Sequence, residues 1–156
     1  MIVIHIDTMH DTARLKRLYD GLENITLLYN ASRERIENEL RHNADKLVLC
    51  LGHGTSQGLF NGNWSGYVID QQNAFLLKDR NIIGIWCYAS DFAAMTGLHG
   101  YFTSMFISNQ AEAVMCGFDE AEQEDIFDEI DAFCDSIRNL IENKTAMDCW
   151  VPILQE

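Results

Sequence analysis

"KLVLCLGHGTSQGLF", Lys46–Phe60, changes character once along its length. Leu47–Leu51 is apolar at every position. A strand with one face in water alternates apolar and polar residues. A strand that is apolar throughout is covered on both faces, which is the situation inside a parallel sheet. The second half is glycine-rich, and His53 stands between Gly52 and Gly54 where the strand runs out. Open parallel sheets bind their ligands at the carboxyl ends of their strands. The stretch therefore decides the fold class and also says where to look for chemistry.

The same alternation of strand and helix extends in both directions. "IVIHID" (Ile2–Asp7) reads as a first strand, and "DTARLKRLYDGL" as a helix with Leu15, Leu18, Tyr19 and Leu22 at helical spacing. Ile25–Tyr29 is the second strand. "SRERIENELRHNA" is a polar helix with Ile36 and Leu40 on one side. Ser32 is its cap, and Arg35 stands where a capping box would carry an acid. "TSQGLFNGNWSGYVID" has Asn-Gly at 61–62 and predicts a small hairpin. Asp70 is placed to cap a helix over Gln71–Lys78. "NIIGIWC" is the fourth strand, ending near Cys87.

Ala89–Asn109 reads as helical with a break near Gly97 or Gly100, and "EAVMCGF" as a fifth strand. Asp119–Asn143 predicts one long helix with an apolar stripe of Ile126, Ile130, Phe133, Ile137 and Leu140/Ile141. Pro152 limits the tail to an edge strand or packed coil. The expected fold is α/β: a three-layer sandwich with a mostly parallel central sheet, as a single domain over residues 1–156.

Composition narrows the partners. Apolar residues make up 47% of the chain and there is one proline, which excludes a disordered polymer. Net charge is -13. Residues 1–118 hold 12 acids against 9 bases, and residues 119–156 hold 12 against 2. No basic stripe exists to neutralise phosphates, so neither nucleic acid nor an anionic membrane surface is an expected partner. No apolar run approaches a bilayer span, and the opening "MIVIHIDTMHD" lacks a basic leader. Five scattered cysteines read as free thiols in a reducing, cytoplasmic setting.

Two reactive side chains sit at predicted strand ends. His53 follows the third strand and Cys87 ends the fourth. If those strands are neighbours, thiol and imidazole share one edge of the sheet and form a nucleophile–base pair. Gly52 and Gly54 leave room beside the imidazole. The amides of Gly54 and Cys87 are candidate oxyanion donors. A helix beginning near Ala89 or Ser90 would favour a thiolate at Cys87. The bland alternatives are a polar turn at His53 and a buried small hydrophobe at Cys87.

The remaining groups read as structural. His99 looks like a histidine at a helix break, and His5 like a core or edge histidine. His10 and His42 look like surface positions. Cys50 and Cys116 read as strand core, and Cys134 lies beside the last helix's stripe. No pair has metal-ligand spacing, and "GHGTSQG" is not a phosphate loop. No metal or cofactor is expected.

"LVLCLGHGTSQG", "IIGIWCYASDFA" and "GLHGYFTSMFISNQAEAVMCGF" together resemble the caspase-like (clan CD) cysteine peptidases over about residues 45–118. The CHAT branch looks nearest, with clostripain-like peptidases and metacaspases as relatives. The resemblance implies a caspase-like fold, Cys87 as nucleophile, His53 as general base and then acid, and hydrolysis of peptide bonds through a thioester. It also implies a charged pocket that selects the residue before the cut. Asp7 and Asp91 are candidates for it and would favour a basic residue; each reads equally as a capping or solvent-facing acid.

The flanks Ile85, Trp86 and Tyr88 depart from the small or polar neighbours common in such families. The chain offers few loops to grip a peptide, so a second copy or a partner protein is one way to complete the site. Three alternatives stand beside the peptidase. One is a catalytically inactive interaction or regulatory module on the same fold. Another is a thiol hydrolase of small esters or amides. The third is a receiver-like domain, disfavoured because Asp7 stands nearly alone.

Overall fold

Strand β1 (Ile2–His5) is buried at every residue and is paired on both sides. It lies between β2 (Thr26–Tyr29) and β3 (Leu47–Leu51), and β3 pairs in turn with β7 (Asn81–Ile85) and β7 with β8 (His99–Phe102). All four pairings are parallel, giving one five-stranded sheet in the order β2-β1-β3-β7-β8. The computed structural model describes residues 1–154. It is α/β, and its parallel sheet with helices is compatible with a three-layer sandwich. Contacts group the chain into two compact units. One comprises Met1–Met9 and Glu23–Phe106, the other His10–Leu22 and Ile107–Glu156.

In the first unit, Ile2, Ile4, Val48, Cys50 and Ile82 belong to one buried cluster, while Val3, Leu49, Leu51, Ile83 and Ile85 are buried as well. Alternate residues of a strand point to opposite faces, so both faces of the sheet are covered, as the unbroken apolar run at 47–51 requires. Helix α1 (Arg33–His42) starts where Ser32 Oγ accepts the Arg35 amide at 3.2 Å, and it buries Ile36 and Leu40. After β3 the chain forms a separate three-stranded antiparallel sheet: β4 (Gly54–Thr55), β5 (Gly58–Phe60) and β6 (Tyr67–Ile69). Asp70 turns the chain at its end, accepting the Gln72 amide at 2.9 Å, and the helix expected there is a short 3₁₀ segment, Ala74–Leu77.

Two expectations fail between residues 89 and 118. Helix α2 spans only Ala89–Thr96 and is stopped at Gly97. The chain then forms β8, a strand read from sequence as the continuation of that helix. Gly100 makes the pairing possible. Its φ is 153°, and a Cβ there would run into the backbone of Ile82 on β7. His99 is accordingly a strand residue. "EAVMCGF" is not a strand: it contains most of helix α3 (Gln110–Met115), and Cys116 caps that helix in an exposed position.

In the second unit the segment "DTARLKRLYDGL" forms a 3₁₀ turn, Ala13–Leu18, with Leu15, Leu18 and Tyr19 buried. It packs on helix α4 (Gln123–Glu142), whose buried stripe is Ile130, Cys134, Ile137 and Leu140. Cys134 takes the place expected for Phe133, which is only partly buried. Arg14 Nη1 reaches both carboxylate oxygens of Asp131 at 3.2 and 3.1 Å, and Arg17 binds Asp135 at 2.6 and 3.0 Å. The tail is helical: Met147–Cys149 is 3₁₀, followed by α5 (Trp150–Leu154). Pro152 is tolerated there because the first turn of a helix has no intrahelical partners for its N–H groups. Among the described residues, no helix is long and apolar enough to cross a membrane.

Candidate active site

The strand order reverses direction between β1 and β3, which is where open α/β sheets bind ligands. His53 lies at this point. Its carbonyl accepts the Phe60 amide at 2.9 Å, and the preceding Gly52 amide donates to Ile85 O at 3.1 Å. The residue is thus held where the chain leaves the parallel sheet and enters the small antiparallel one. Leu51 pairs with Ile85 in register, so His53 and Cys87 each stand two residues past the same rung of adjacent parallel strands. The strands carrying them are neighbours.

Cys87 is fixed from downstream. The Trp86 amide donates to Thr103 Oγ1 at 3.2 Å, and that hydroxyl donates to Trp86 O at 2.8 Å. The Tyr88 and Ser90 amides donate to Ser104 O at 2.7 Å and Thr103 O at 3.0 Å. Tyr88 adopts the left-handed conformation, φ 66° and ψ 23°, and α2 starts at the next residue. Cys87 therefore stands two residues ahead of α2. Its Sγ donates to Phe106 O at 3.2 Å and accepts the Phe106 amide at 3.4 Å. The carbonyl contact suits the protonated thiol, and the amide contact suits the thiolate.

The two glycines around His53 serve packing. A Cβ on Gly54 would meet the Trp86 indole and the Gly58 carbonyl, and one on Gly52 would lie 2.8 Å from Ile6 O. The space expected for a passing substrate is filled by the protein's own core. Trp86 is buried, and its Nε1 donates to Thr55 O at 3.0 Å, so it is a strut under β4. Tyr88 is half exposed.

The two pocket candidates lie in opposite environments. Asp7 follows β1, is buried, and accepts the Tyr29 hydroxyl at 2.8 Å; its amide donates to Asn30 Oδ1 at 2.5 Å. Asp91 is exposed in the first turn of α2, where a negative charge suits the helix dipole. Two other thiols are shielded. Burial pushes the Cys50 thiol up to about 12. Burial, reinforced by Asp131 and Asp135, does the same to Cys134.

Three neighbours of Cys87 and His53 are not legible as such in sequence, where Phe106 reads only as core packing. Phe106 reaches the thiol from 19 residues away in sequence, and Thr103 braces the turn from 17. No local pattern announces either. Trp64 lies with its ring 5.1 Å from the His53 ring, at 51°. Its place in "NGNWSG" marks a turn and gives no sign of this contact. Comparison with family models, curated proteins and solved structures finds no match to this chain.

Proposed function

We propose that this chain is a caspase-like cysteine endopeptidase core using a Cys87–His53 dyad. The observation that carries the reading is the register: the two residues lie equally far past the paired Leu51 and Ile85 of adjacent parallel strands. In the proposed reaction His53 takes the Cys87 proton and the sulfur attacks the peptide carbonyl. The carbonyl electron pair moves to oxygen, where the Gly54 and Cys87 amides are the candidate donors. Collapse breaks the C–N bond, the leaving amine takes the proton from His53, and water then hydrolyses the thioester with His53 as base. Of the two acids proposed to select a basic residue, Asp91 has the carboxylate open to a substrate. The substrate is a protein or peptide, and a second copy or a partner protein completes the cleft.

One observation favours a second reading. The Cys87 thiol is engaged by the Phe106 backbone, as in a non-catalytic interaction module whose thiol is no longer used. Alkylation of Cys87 by iodoacetamide, followed by peptide mass mapping across pH in the native chain and in His53→Ala, separates the two. The dyad predicts fast labelling below pH 7 that falls at least tenfold in His53→Ala. It also predicts cleavage of a peptide library that vanishes in Cys87→Ser. Labelling no faster than at exposed Cys116 and Cys149, and indifferent to His53→Ala, moves the assignment to the interaction module.

A further inference from the structure

Trp64 occupies the connection between β5 and β6 and is 49% exposed, whereas Trp86 and Trp150 are 1% and 2% exposed. Its φ is 60°, a conformation that a bulky side chain adopts rarely and at a cost. The loop enforces it. The Asn61 amide donates to Gly66 O at 2.9 Å and the Trp64 amide to Asn61 O at 3.2 Å. The Ser65 amide donates to Asn61 Oδ1 and Asn63 Oδ1 at 3.0 and 3.1 Å, and Thr8 Oγ1 donates to Gly62 O. The indole so held enters no hydrophobic core. It stacks on Phe60 at 5.3 Å and 9°, and Phe60 stacks on Tyr67 at 5.1 Å and 10°. It also meets the imidazole of His53.

A strained aromatic residue kept half in water, backed by two further rings and laid against the candidate base, has an arrangement that fold stability alone does not demand. We infer that Trp64 is a positioning residue for His53, its indole biasing the imidazole toward one ring orientation. This inference rests on the dyad proposed above. An aromatic pair of this geometry is strong enough to bias a two-fold ring torsion by about 2–10-fold. The effect is therefore on how often the imidazole is correctly turned.

The test is a double-mutant cycle on the rate of Cys87 alkylation at fixed pH. Trp64→Ala is expected to slow it about 1.3–1.8-fold, the loss in productive fraction when a 2–10-fold bias between two otherwise equal ring orientations is removed, and Trp64→Phe to restore most of the rate. In the His53→Ala background, Trp64→Ala should add nothing, because its effect passes through the imidazole. Trp64→Gly removes the ring while relieving the left-handed backbone, so it serves if the alanine variant folds poorly. A second readout is spectroscopic. The His53 Cε1–H resonance, identified by its loss in His53→Ala, should carry a ring-current shift that collapses in Trp64→Gly. Slowing by Trp64→Ala of equal size with and without His53 overturns the positioning role, as does absence of the ring-current shift. A rate reduced by His53→Ala but untouched by Trp64→Ala and Trp64→Gly overturns it while leaving the dyad standing. A rate indifferent to His53→Ala overturns the dyad and the positioning role together.

Discussion

A side chain at residue 54 would have to share space with the Trp86 indole and the Gly58 carbonyl. Neither neighbour can give: one is a buried ring tied to Thr55 O, the other is backbone. Gly54→Ala is expected to cost about 1–3 kcal/mol by overpacking, read as a lower urea midpoint at unchanged slope. A cost below about 0.3 kcal/mol would mean that β4 shifts freely beneath Trp86. The thiols make a second test at this scale. Cys50 and Cys134, both held up to about 12, expose roughly one thiolate in ten thousand at pH 8. They should label only after unfolding, while Cys116 and Cys149, exposed on the surface, label in the native chain. Native-state labelling of Cys50 would show that the core opens. The strand-end placement of His53 and Cys87 was legible because a residue just past an apolar run is visible in sequence. Phe106 was not, because what brings it to the thiol is the return of the chain after β8.

Elements were read correctly where a long period or an unbroken apolar run left one solution. β1, β3, β7 and α4 are of that kind. β8 failed because four residues, two of them half-buried and one a glycine, carry too little period to compete with the helix before them. α3 failed for the opposite reason. "AVM" looks like strand core, yet Val114 and Met115 are exposed. The decisive signal was polar. Asn109 Oδ1 accepts the Glu112 amide at 2.9 Å, and Glu112 Oε2 accepts the Ser108 amide and hydroxyl at 2.7 and 2.8 Å. "SNQAE" is thus a reciprocal cap. A different polar contact ties α1 to the end of β6. Arg33 binds Asp70 with two parallel bonds of 2.7 and 2.9 Å and also donates to Tyr67 O. The Arg33 guanidinium, then the Gln72 and Asn73 amides, hold the Asp70 carboxyl below its ordinary range. A lowered folded value stabilises the protein above the unfolded pKa, near 4, and that stability is lost as pH falls through the folded value. Asp70→Asn should therefore destabilise by about 1–3 kcal/mol at pH 7, with the gap from the native chain narrowing below about pH 4. Urea titrations at both pH values measure it; a gap that widens in acid would reverse the sign and refute the assignment.

Across the whole molecule, charge follows the two units. The first holds 9 acids against 6 bases and the second 15 against 5. The acidic excess was plain in the sequence; the strand order that places His53 and Cys87 on one edge was not, because parallel neighbours are set by long-range pairing. In the second unit the three arginines are already committed to contacts within that unit: Arg14 and Arg17 to acids of α4, Arg138 to Glu142 and to the carbonyls of Arg17 and Asp20. They leave an excess of carboxylates over bases in that unit. Screening acts unequally on these two sets. Ions paired at contact distance lie well inside the Debye length at both salt concentrations and lose less to screening, whereas repulsions across about 10–30 Å lie within about one Debye length at 0.01 M salt and are largely gone at 0.15 M. Added salt should therefore remove more repulsion than attraction. The melting temperature followed at 222 nm, where α4 as the longest helix weighs heavily, is expected to rise by a few degrees between 10 and 150 mM NaCl. A melting temperature that falls with salt would show that the arginine contacts on α4 outweigh the self-repulsion of its acids.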